Sequence, residues 1–160
     1  MDEIKISIAS PLASTESTKI SLNAIRNKDA GLNEHRQKLL QRVSDQECWG
    51  TFPLNSIEIK DLAYLSAATG DEFALIRSKH NDILYHGTLL RCKIEEDDDI
   101  MSLLNGHKAE LVAHSHPDVD KIIPSAEDRN FIRSYGQKKS KIISAYTGQI
   151  IEFSSDMFEL

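Results

Sequence analysis

The side chains best able to do chemistry lie in His114-Ser115-His116-Pro117 and Ser125-Ala126-Glu127-Asp128. Imidazole is a good Zn²⁺ ligand. A catalytic zinc site takes three protein ligands and leaves a fourth position for water, whose pKa falls to ~7. His114, His116 and Asp128 are the candidate ligands, with Asp128 in the first turn of a helix and facing back toward the preceding loop. The expected geometry is a strand that ends at His114, with the chain turning there. Pro117 fixes its own φ and restricts His116, so a turn would bring both imidazoles to one point. A strand continuing through them is expected to part them.

Hydrolysis at such a centre also needs a base. Glu72 leads an apolar strand, Phe73-Ala74-Leu75-Ile76, after the helix end Thr69-Gly70. It is the candidate for moving a proton from water to a leaving amine. Asp71 is adjacent, and a shift of one residue would turn the side chain to the other sheet face. Glu72 is preferred because it directly precedes the strand and reaches further. Ser125 is the candidate hydrogen-bond donor to the oxyanion of a tetrahedral intermediate.

A Glu before Phe-Ala-Leu-Ile, then His-Ser-His-Pro, then Pro-Ser-Ala-Glu-Asp resembles the JAMM/MPN+ (JAB-domain) zinc metalloproteases. That resemblance covers residues 56–153. It implies a cytidine-deaminase-like three-layer α/β/α fold with a mixed central sheet. It also implies a zinc-dependent peptidase or isopeptidase, with a protein or peptide substrate such as a ubiquitin-like conjugate or a toxin precursor. Carried over, His114, His116 and Asp128 would hold zinc, Glu72 would be the general acid/base and Ser125 the oxyanion donor. Residues 117–124 form a linker one residue longer than that family's pattern. The competing reading is a non-catalytic MPN-type module that binds a ubiquitin-like or other partner. A third is a toxin's capping or immunity partner.

Plainer uses of the same residues are also open. Ser125 and Asp128 have the spacing of a helix capping box, which needs no metal and can coexist with one. His35, His80, His86 and His107 are expected to face solvent, and Cys48 and Cys92 to be small core residues. His114-x-His116-x-Asp118 begins like a metallo-β-lactamase motif, but position 119 is Val where that motif needs His. A nucleoside deaminase would need H-x-E and P-C-x-x-C, and neither is present.

The elements that must position these residues follow from hydrophobic spacing and breakers. Residues 3–9 read as a short strand and 10–32 as a loop or arm. A helix is expected from Asn33 to about Cys48, stopped by Trp49-Gly50-Thr51-Phe52-Pro53. A second helix opens at Ser56 and runs to about Ala68. A hairpin follows, with strands 72–79 and 83–92 around Asn81-Asp82. The acidic run Glu95 to Asp99 reads as a helix start, because anions are favoured at the positive end of the helix dipole. A Ca²⁺ loop would need a spacing that is absent. A strand over 108–113, a helix from Ser125 to about Tyr135 and a hairpin around Thr147-Gly148 complete an α/β (α+β) order. Residues 1–50 are expected to form an N-terminal arm or extension, partly helical, and residues 51–160 the metalloprotease-like domain.

At 160 residues and a net charge of −6, the chain has the size of one domain and lacks a basic block for nucleic acid or an anionic membrane. It shows no apolar run of membrane-spanning length and no signal peptide at Met1 to Ser10, so the cytoplasm is expected; signal-less export stays open.

Overall fold

A computed structural model describes residues 32–117 and 122–156. The strand expected over 3–9 and the arm up to residue 31 lie outside the described residues. Among these residues, four α-helices and six strands follow in the order α1 (Glu34–Arg42), β1 (Cys48–Pro53), α2 (Ile59–Thr69), β2 (Phe73–Ser78), β3 (Asn81–His86), α3 (Asp98–Asn105), β4 (Ala109–His116), α4 (Ala126–Ser134), β5 (Lys139–Ser144) and β6 (Ile150–Ser154). A single 3-10 turn, Ile94–Glu96, precedes α3. The strands make one sheet in the order β1-β3-β2-β4-β5-β6. Every neighbouring pair is antiparallel except β4 and β5.

The sheet is covered on both faces. Leu39 of α1, Val43 just after it, and Leu62 and Leu65 of α2 pack with Phe73, Leu75, Leu84 and Ile143 on one side. On the other side Ile100 and Leu104 of α3 and Ile132 of α4 pack with Ala74, Ile76, Ile83 and Leu111. The chain is therefore a mixed α/β domain, α+β in its strand pairing. Among the described residues, no helix is long and apolar enough to cross a membrane.

The helix ends follow local chemistry. Asp97 caps α3 by accepting from Ile100 N at 2.9 Å, and the acidic residues beside it occupy the first turn. Gly70, at φ +82°, ends α2 in a left-handed conformation open to glycine without steric cost. Two helix boundaries depart from expectation. The first helix stops at Arg42, and Cys48–Pro53 is an edge strand along the full length of β3. Its partner lies some thirty residues away in the chain, so local patterning could not show it; the break after residue 50 falls inside this strand. The second helix starts at Ile59 with Glu58, not Ser56, as its cap.

Asp82 fixes the turn region. It is fully buried, although Asn81-Asp82 had read as the hairpin turn. It binds Arg77 Nε at 2.7 Å, Ile57 N at 3.0 Å and Asn55 N at 3.1 Å. Burial alone would raise its carboxyl, but Arg77 and the two backbone N–H groups outweigh that and hold it below the ordinary carboxylate range. Its stabilisation is therefore complete at neutral pH and is lost as pH falls through the usual carboxylate range to the lower folded-state value. Asp82→Ala should cost about 2–4 kcal/mol, because it strands a charge and buried donors. Urea unfolding at neutral pH and at about pH 3 checks this, with the variant's deficit shrinking in acid.

Candidate metal centre

The parallel pairing of β4 with β5 dictates where the centre forms. Parallel neighbours need a crossover, here α4, whose first turn must lie near the carboxyl end of β4. His114 and His116 are at that end, and Asp128 is in that first turn. β2 runs antiparallel to β4, with Ala74 opposite His114, so Glu72 enters beside His116.

The strand continues through both histidines, contrary to the expected turn at His114. Strand side chains alternate faces, so residues two apart share a face, and continuation brings the imidazoles together instead of parting them. A bulge selects the face. Leu75 pairs with Ala113 but Ile76 with Leu111, which leaves Val112 as an extra residue in β4. Without it, Leu111 and His114 would face opposite sides. With it, both face α3 and α4.

His114 Nε2 and His116 Nε2 are 3.2 Å apart, and His114 Nε2 is 3.3 Å from Asp128 Oδ1. Two donors bound to one tetrahedral zinc stand ~3.3 Å apart, given bonds of ~2.0–2.1 Å. His114 Nε2 thus stands from both His116 and Asp128 at the separation of two zinc-bound donors, and all three residues carry donor types that zinc accepts. Ligand atoms of Glu72, His114 and His116 also lie within 4.8 Å of one another, so Glu72 faces the same point. Asp71 does not. Its carboxylate turns to the opposite sheet face and binds His86 Nε2 at 2.8 Å and Gln46 Nε2 at 3.0 Å.

Burial and the repulsive charge of Asp128 push the Glu72 carboxyl up to about 9, against a smaller pull from Arg91. A divalent cation beside it would act in the opposite direction. Burial and the neighbouring His114 lower His116 to about 4, with Asp128 opposing. Asp128 would be raised by burial, but His114, the Ser125 N–H and His116 hold it down to about 2. His116 neutral and Asp128 ionised are the forms that donate lone pairs to a metal.

Ser125 is the N-cap of α4. Its hydroxyl accepts from Asp128 N at 3.0 Å while its own N–H donates to Asp128 Oδ2 at 2.9 Å. The capping box is real and orients the candidate ligand. A serine hydroxyl keeps a proton to donate while it accepts, so the two uses coexist.

These groups line a cleft of about 430 Å³, which also has Leu90, Arg91, Cys92 and Phe131 on its walls. Sequence reasoning missed the 87–93 loop, because that stretch reads as a continuing strand. Its signal is Gly87. Gly87 N donates to Glu72 O at 2.7 Å, and a Cβ there would come within 2.6 Å of Arg91 O. The loop thus folds tightly over Glu72. Cys92 is a half-buried residue at the wall of this cleft and packs against the core on that face, as a small core residue is expected to do. His86 does not face solvent as expected. It is buried, with Nδ1 2.6 Å from Val43 O, Nε2 on Asp71 and its ring stacked on Phe73.

No family model, curated protein or solved structure matches the chain.

Proposed function

We propose that the chain is a zinc-dependent metallopeptidase or isopeptidase of JAMM type, on a deaminase-like α/β/α scaffold, acting on peptide or isopeptide bonds of a protein substrate such as a ubiquitin-like conjugate. The observation that carries this reading is the spacing of His114 Nε2 from His116 and from Asp128, each that of two donors on one tetrahedral ion, with Glu72 clustered with the two histidines. His114, His116 and Asp128 would hold the ion, which when bound would supply Lewis acidity toward a carbonyl and toward water. Glu72 accepts a proton from the attacking water and delivers it to the leaving amine. Its burial favours the protonated form in the second half of that shuttle. Ser125, at the cleft wall, donates its free hydroxyl proton to the oxygen on which charge develops.

Ser125→Ala is expected to lower kcat by about 10²–10³-fold through the lost oxyanion contact. It should also cost about 1 kcal/mol through the lost cap. The metal content should not change, and paired kinetics and thermal unfolding separate these effects. Cleavage of ubiquitin-like fusion proteins, with and without chelator, tests the activity itself. Chelator-sensitive release of the fusion partner supports the proposal, and cleavage indifferent to chelator refutes it.

A further inference from the structure

A second polar recess lies on the opposite side of the sheet from the metal centre, where α1 meets the N-terminus of α2. It is lined by His35, Arg36, Ser56, Glu58, Lys60 and Asp61, among others, and encloses about 320 Å³. Arg36 is only 2% exposed. Its guanidinium lies 3.8 Å from the Tyr64 ring centre, and Nε donates to Asp61 Oδ1 at 2.8 Å. Yet Arg36 Nη1 is buried without a hydrogen-bond partner among the described residues, and so is the Ser56 hydroxyl. A buried donor left unpaired is costly, because it has given up its hydrogen bonds to water and gained none in return. Two in one recess, one of them cationic, mark a place shaped for an acceptor that the described residues do not supply.

The recess chemistry narrows that acceptor. Asp61 is already neutralised, with Oδ1 on Arg36, Oδ2 taking the Glu58 N–H at 2.8 Å and His35 Nε2 at 3.5 Å. Lys60 sits 3.5 Å from Glu58. The unused donors and the α2 N-terminus repel a cation. Two carboxylates in the lining disfavour a dianion such as phosphate. Two free donors match the two oxygens of a singly charged planar group. We propose that this recess binds a carboxylate, held by Arg36 Nη1 and the Ser56 hydroxyl. The source is either a small organic acid or the carboxylate of a peptide.

Calorimetric titration of the whole chain with acetate, N-acetyl-trialanine, its C-terminal amide and inorganic phosphate tests this. Saturable binding of at least one of the two carboxylates, with none of the amide and weaker binding of phosphate, is expected. Acetate alone points to small acids, and the peptide acid alone points to a peptide. Ser56→Ala should weaken that binding about tenfold, as expected for loss of one hydrogen bond to a charged group. It should leave the ligand-free melting temperature unchanged or higher, because the hydroxyl it removes has no partner. Arg36→Lys, which keeps the charge but not Nη1, should weaken binding as well. No saturable carboxylate binding overturns the proposal. So does equal binding of the amide or phosphate, or binding that Ser56→Ala leaves intact, which would put the carboxylate elsewhere, at the metal centre included.

Discussion

Replacing Glu72 with Gln is expected to lower hydrolysis by about 10²–10⁴-fold, the usual worth of a positioned acid–base group, with zinc content unchanged. Gln preserves size and hydrogen bonding but cannot carry a proton between water and an amine. The effect should fall on kcat, because the ion and the cleft walls that hold substrate remain. Steady-state kinetics combined with metal analysis check it. A variant that lost its metal would assign Glu72 to the ligand set, with His114 and His116, which its facing of the same point also permits. A variant with full turnover would remove Glu72 from the mechanism.

Asp128→Ala should have the largest effect on metal affinity. It deletes a donor 3.3 Å from His114 and one half of the capping box that aims it. The loss should exceed the 10–100-fold typical of residues that only orient a ligand. Hydrolysis should vanish with the metal. Ser125→Ala is the control, since it breaks the same cap while sparing the ligands. If both variants bind zinc equally well, Asp128 acts as a cap alone. Competition with a coloured chelator measures the difference.

Much of this centre was legible in the sequence because its signals are local. Ser125 and Asp128 announce a helix start wherever they fall. Gly70 and Gly148, both at positive φ, mark the ends that glycine favours. The acidic run before Ile100 caps a helix for electrostatic reasons alone. What could not be read depends on distant partners. Val112 resembles any other strand valine, and only its register against β2 reveals it as the bulged residue that turns the histidines toward α4. β1 is a strand because β3 lies beside it, and residues 87–93 leave the sheet to close over Glu72. His86 resembles a surface residue until Asp71 and Val43 are found on either side of its ring.

Elemental analysis of the purified chain, before and after chelation, tests the central claim most directly. The account predicts a single zinc per chain, removed together with activity by chelator, restored by added zinc and absent from His114→Ala. A protein that purifies without stoichiometric metal and takes up none on addition would contradict it.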